Sequence, residues 1–172
     1  MALGELATLR DGGRLILKTR VEPFVRARTT SWFEDAAPES GRTLLVEPGG
    51  AWMEKQGERT PLPARQAAHE RAQYGLYGYL LEAMQPGAPA HLSHAGLPPI
   101  DFRYAGGRPI SANYTVPDHA SDGTIAQQIS FQGAVADAGV TWPGRISIGS
   151  PGALPEDFNF RITIDSFTVI PA

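Results

Sequence analysis

Residues 74–84 read Tyr-Gly-Leu-Tyr-Gly-Tyr-Leu-Leu-Glu-Ala-Met, an almost wholly apolar stretch at helical spacing. The rest of the chain alternates as β-strands do, between Gly and Pro. A helix that covers one face of a sheet carries one apolar stripe and a polar back. Here Leu76, Tyr79, Leu80 and Ala83 make one stripe, while Tyr74, Tyr77, Leu81 and Met84 make a second. Such a helix must be buried on most sides, or must line an apolar cavity. Each buried phenol also needs a partner for its hydroxyl, which a cavity with water or a ligand supplies.

The helix is predicted over Ala64–Met84, entered through Thr60-Pro61-Leu62-Pro63 and stopped by Gln85-Pro86-Gly87. Its first half, with Arg65, His69, Glu70 and Arg71, is polar enough to be solvated on one side. Gly75 and Gly78 each cost about 1 kcal/mol relative to Ala inside a helix, which predicts close approach by another element or a local distortion.

Strands are predicted on both sides of it. Arg14–Glu22 follows an Asp11-Gly12-Gly13 turn and places Leu15, Leu17, Thr19 and Val21 on one side. Val25–Phe33 follows Pro23, with Ala27, Thr29 and Ser31 opposite Arg26 and Arg28. Thr43–Val46 and Ala51–Glu54 flank Glu47-Pro48-Gly49-Gly50, a hairpin in which Pro48 sets φ and Gly49 takes a positive φ. After an irregular loop over Gly87–Pro99, strands carry Ile100, Phe102 and Tyr104, then Ile110, Ala112, Tyr114 and Val116, then Ile125, Gln127, Ile129 and Phe131. Trp142, Ile146 and Ile148 follow, then Phe158, Phe160, Ile162 and Ile164, ending on Phe167 and Val169. This alternation predicts antiparallel strands with one dry face. The fold class is mainly β (α+β), one domain over residues 1–172, with no internal repeat or linker. A length of 172 residues can bury a sizeable core without disulfides or metal.

Composition narrows the function. The net charge is −3, and the 15 Lys and Arg are scattered without a basic run, which argues against nucleic acid. No stretch approaches the roughly 20 apolar residues of a membrane span. With no Cys, thiol catalysis, thiolate metal sites and disulfides are excluded. That composition fits the cytosol or a bacterial periplasm. Met1–Arg10 lacks the basic and long apolar regions of a secretory signal, so an exported form is expected to have lost one.

Chemistry-bearing clusters are few. His91-Leu-Ser-His94 lies in a Pro- and Gly-rich loop, short of the three or four ligands zinc needs, so no metal and no cofactor is expected. Asp118-His119-Ala-Ser-Asp122-Gly123 has the residues of an acid–base cluster, yet these are also the residues of a loop between strands. There is no nucleophile elbow, P-loop or dinucleotide fingerprint. A small hydrolase built on His69 or His119 is the least supported reading, and no enzyme is expected. Arg26 and Arg28 share a face with Trp32 and Glu34, either as a solvated strand face or with one guanidinium turned into the concave side.

Three segments carry a family likeness. The Trp just beyond a hairpin turn (Glu47-Pro-Gly-Gly-Ala-Trp52), the Pro61-Leu-Pro63 entry to a long helix and the strands-only C-terminal half resemble the periplasmic lipoprotein carriers, the LolA/LolB-like superfamily. The late segment Trp142-Pro-Gly-Arg-Ile-Ser-Ile148 is similar to the penultimate one in accessory domains found beside insulinase-type zinc peptidases. The chain itself has no H-x-x-E-H zinc motif.

The resemblance implies a curved antiparallel half-barrel whose concave apolar face is covered by the helix. It further implies a cavity for lipid or lipoprotein acyl chains lined by Trp52, Tyr74, Tyr77, Leu80, Leu81, Met84, Phe102, Tyr114, Phe131, Ile146, Phe160 and Ile162. The carriers have Arg before the Pro separating the early strands, and that Arg helps hold a helical lid closed. Here Glu22 stands in that place, so the lid or gate is either missing or displaced to Arg20, Arg26 or Arg28. The carriers also open with an amphipathic helix, reduced here to a short helical stub over Leu3, Leu6 and Leu9. The implied function is noncatalytic hydrophobic-ligand binding by a monomer in the periplasm or cell envelope. The alternative is an interaction module with a self-filled cavity, accessory to an envelope or peptidase-like partner.

Overall fold

The structure, a computed structural model, describes residues 2–3, 9–10, 13–158 and 160–171. The strands before the helix are β1 (Ala2–Leu3), β2 (Leu9–Arg10), β3 (Gly13–Glu22), β4 (Arg26–Phe33), β5 (Arg42–Glu47), β6 (Gly50–Lys55) and β7 (Glu58–Pro61). Helix α1 (Ala64–Ala83) follows, then β8 (His91–Leu92), β9 (Ile100–Ala105), β10 (Arg108–Pro117) and β11 (Thr124–Gln132). The chain closes with β12 (Val135–Asp137), β13 (Val140–Trp142), β14 (Arg145–Gly149), β15 (Phe160–Thr163) and β16 (Phe167–Thr168).

The fold is mainly β, with one helix packed against antiparallel sheets, and the described strands close no barrel. They divide between two sheets. The first runs β16-β1-β3-β4-β5-β6-β7, with β2 also on β3, and the second runs β15-β14-β11-β10-β9-β8. Strands β12 and β13 form a separate ribbon. Helix α1 packs on β3, β5 and β6 of the first sheet and on β10 of the second. That position accounts for its two apolar stripes, because both sheets demand one.

Strand parity decides what faces the helix. In the first sheet Val21 pairs with Ala27, Ala27 with Val46 and Val46 with Ala51, so these small and branched side chains share one face, and all are buried. In the second, Ile100, Phe102, Ala112, Tyr114, Val116, Ile129, Phe131, Ile146 and Ile162 are all buried. One continuous core joins the two faces through Ala72, Leu76, Tyr79, Leu80 and Ala83 of α1. Removal of a large side chain from such a site costs about 2–5 kcal/mol.

Four sequence expectations are corrected. Ala2–Leu3 and Leu9–Arg10 are strands rather than a helical stub, while Leu6 lies outside the described residues. Strand β1 bridges β16 and β3, and such pairing satisfies backbone groups that an isolated two-turn helix, marginal in water, leaves weakly held. Leu9 pairs with Arg14 across the expected turn, whose Asp11 and Gly12 also lie outside the described residues. Ile110 is exposed, because the β9–β10 register shifts between Pro109 and Ser111 and turns Ile110 outward as a bulge residue. In the β5–β6 hairpin the positive φ falls on Gly50 (153°) and not on Gly49. The last correction concerns Trp52. It pairs with Leu45, on the parity opposite Val46 and Ala51, and its ring lies 4.5 Å from the Arg59 guanidinium on the face turned away from α1.

Candidate functional site

The two helical glycines lead to the site. A methyl group built on Gly78 would stand 2.6 Å from the Phe24 ring, and one on Gly75 would stand 2.8 Å from Leu97. The predicted close approach is therefore real, but it is made by a turn and a loop instead of by a regular element. Arg71, Gly75 and Gly78 occupy i, i+4 and i+7, which puts all three on one helix face.

Phe24 is held there by an unusual backbone. The β3–β4 hairpin turns through Glu22-Pro23-Phe24-Val25, closed by the Val25 N–H donating to the Glu22 carbonyl at 3.1 Å. Pro23 sets its own φ, and Phe24 takes φ 61°, a left-handed conformation normally left to Gly or Asn at that turn position. For a residue with a side chain this costs about 1–2 kcal/mol. The ring recovers contact by lying on Gly78, 4.0 Å from the His94 ring in a parallel stack and 5.4 Å from Tyr79 edge-to-face. The loop that supplies His94 and Leu97 is tied down by Tyr79, whose hydroxyl donates to the Pro98 carbonyl (2.9 Å) and accepts the His94 N–H (2.9 Å).

Beside this plug lies a shallow cleft with about 20 Å³ of free space, room for about one water. Its walls are Val21, Ala27 and Val46 from the sheet, Tyr74 and Gly75 from the helix, and Phe24, Val25 and Leu97 from the turn and loop. Its charged groups are Glu22, Arg26 and Arg71. Glu22 and Arg26 neutralise each other through a 2.6 Å Nε–Oε2 ion pair. Arg71 is half-buried and has no ion-pair partner among the described residues.

Of the residues expected to line a cavity, Tyr74 borders this cleft, as does Arg26 among the expected gates. Leu80, Phe102, Tyr114, Phe131, Ile146 and Ile162 are buried in the core, and Tyr77, Leu81, Met84 and Phe160 are partly buried against it. Arg20 and Arg28 lie on the exposed face of the first sheet, Arg28 3.8 Å from Glu54. Two of the interior phenols expected at the cavity bond to protein. Tyr74 bonds Thr29, which meets Thr19 at 3.1 Å, and Tyr114 donates to the Ala72 carbonyl at 2.8 Å. Burial pushes the Tyr74, Tyr77 and Tyr114 hydroxyls well above the usual phenol range, so they stay protonated.

The histidine clusters separate in space. His91 meets Asp101 at 2.7 Å, whereas His94 faces Phe24. In the Asp118–Gly123 loop the Ser121 hydroxyl and the Ala120 N–H both donate to Asp118, at 2.6 and 3.0 Å, and hold its carboxyl below the usual range. Ser121 thus donates to a carboxylate and not to a histidine base, and the bonds are those of a loop closing on itself. His69 approaches the Pro117 carbonyl at 2.7 Å and the His119 ring at 5.0 Å. Burial raises the neighbouring Glu70 carboxyl, against the opposing pull of His69, His119 and Arg42. Among the described residues no group of three or more His, Asp or Glu is placed to hold a metal ion, and no helix is long and apolar enough to cross a membrane.

Sequence reasoning missed Phe24, Val25, Leu97 and Arg71 at the cleft. The signal available for one of them, Arg71, was its i, i+4, i+7 spacing with the two glycines, which marks a groove on the helix surface. Comparisons with protein-family models, with curated proteins and with solved structures find no match for the chain.

Proposed function

We propose that the protein is a noncatalytic binder of a hydrophobic ligand, lodged in the cleft between the β3–β4 hairpin tip, helix α1 and the His94–Pro98 loop. The observation that carries this reading is how the Gly75–Gly78 face is covered. It is capped by one strained turn residue and one loop side chain, neither of which belongs to a strand. An apolar chain seated in their place would gain about 0.8 kcal/mol for each CH₂ removed from water. The ligand class is acyl chains or similar molecules, and the working place is the periplasm or envelope of a bacterium, both in keeping with the carrier resemblance.

A second reading is favoured by a specific observation. Leu80 and Tyr79 are fully buried in a continuous core, as befits an interaction module whose interior is filled by its own helix. Titration with the apolar dye N-phenylnaphthylamine separates the two. The binder should enhance its fluorescence to saturation at one site, and Val25→Asp at the half-exposed mouth of the cleft should abolish this while leaving the urea midpoint in place. A wild-type protein that ignores the dye would favour the interaction module.

A further inference from the structure

We infer that the cleft takes a single-chain amphiphile with an anionic head, its charge on Arg71 and its chain running along α1 over Gly75 and Gly78. This rests on the proposed ligand-binding reading and deepens it.

Two observations point to the head group. Arg26, the other guanidinium at the cleft, is already bonded to Glu22, so Arg71 supplies the uncompensated positive charge. A half-buried guanidinium is a strong donor to carboxylate or phosphate oxygens, and charge-assisted bonds of that kind are about twice as strong as neutral ones. The neighbouring carboxylate along the helix, Glu70, is one residue away and therefore about 100° round the axis from Arg71, within electrostatic reach of Tyr74 on the cleft wall as well as of His69, His119 and Arg42.

Two more define the tail. Arg71, Gly75 and Gly78 form a straight stripe, polar at one end and bare of side chains for the rest, about 10 Å long at 1.5 Å per residue. The apolar groups now on that stripe are Leu97 and the Phe24 ring, and a slender chain replaces them one for one. The free space beside them is only about 20 Å³, room for a water and not for a chain, so the site is limited to one chain that takes the place of the Phe24 ring and the Leu97 side chain.

The test is calorimetric titration of the purified protein with decanoate, decanol and decyltrimethylammonium, on the wild type, Arg71→Gln and Arg71→Lys. Decanoate is expected to bind about tenfold more tightly than decanol, the worth of one hydrogen-bonded charge. That preference should collapse in Arg71→Gln, recover in part in Arg71→Lys and weaken with added salt. Circular dichroism on the same samples establishes that each variant is folded. Equal binding of decanoate and decanol, unchanged by Arg71→Gln, would overturn the anionic head while leaving a hydrophobic-ligand site standing. Tightest binding of the cationic amphiphile would overturn it as well. Failure of all three to bind would overturn the ligand-binding reading and this inference with it.

Discussion

Two hairpins of the first sheet begin alike, Glu22-Pro23-Phe24-Val25 and Glu47-Pro48-Gly49-Gly50, and they end in opposite ways. In the second, Pro48 and Gly49 turn in solvent, and a side chain added at Gly49 would meet nothing within 4 Å. In the first, a phenylalanine occupies the left-handed position that a glycine would fill without cost, and its ring reaches the backbone of Gly78. One turn only reverses the chain. The other reverses it and also covers a groove on the helix, so strain at Phe24 is held in place by the contacts of its ring with Gly78, Tyr79 and His94.

The largest effect should come from Phe24→Ala, which removes the ring but keeps a side chain in the left-handed region; a loss of about 2–3 kcal/mol in the urea-derived stability is expected. Phe24→Gly should cost about 1 kcal/mol less than the alanine variant, because it removes the ring and relieves the backbone. If the two variants prove equally stable, Phe24 is not strained and the contrast between the turns fails.

Gly78→Ala sharpens the same point. Alanine gains about 1 kcal/mol of helix propensity but must displace the ring, for a net loss of about 1–2 kcal/mol in the wild type. In a Phe24→Gly background the same change should become stabilising, and a double-mutant cycle that shows additivity would break the link between turn and groove.

The exposed turn supplies the smaller effects. Gly50→Val should lower stability by about 1 kcal/mol, since φ there is positive, whereas Gly49→Val should stay within about 0.5 kcal/mol. A reversed order in the denaturation midpoints would mean that the hairpin turns as its composition first suggests, with the special conformation on Gly49.

Much of the architecture was legible in the residues. The helix starts at the expected Ala64 and ends one residue short of the expected Met84, because proline entry and exit signals act locally. The dry faces of β3, β9 and β11 follow from simple alternation. What escaped depends on where a turn sets parity. The carrier resemblance puts Trp52 in the cavity, yet the two-residue turn sets its smaller neighbour Ala51 inward. Ile110 fits the alternation of β10 until the bulge at Pro109 inserts an extra residue. The cleft was legible only as two costly glycines. That a phenylalanine would adopt a glycine conformation to cover one of them is a long-range consequence of packing, and local propensity argues against it.

The three hydroxyl contacts of α1 have a mechanical consequence. Apolar packing is non-directional, and a helix with greasy residues on two sides can rotate or slide between two sheets at little cost. Tyr74 on Thr29 fixes its position along the first sheet, the Tyr114 bond to the Ala72 carbonyl fixes it against the second, and Tyr79 on Pro98 fixes its height relative to the covering loop. Together they index the helix like the teeth of a vernier. The glycine stripe is thereby held in register with the hairpin tip, so the Phe24 ring meets Gly78 at one fixed place on the helix.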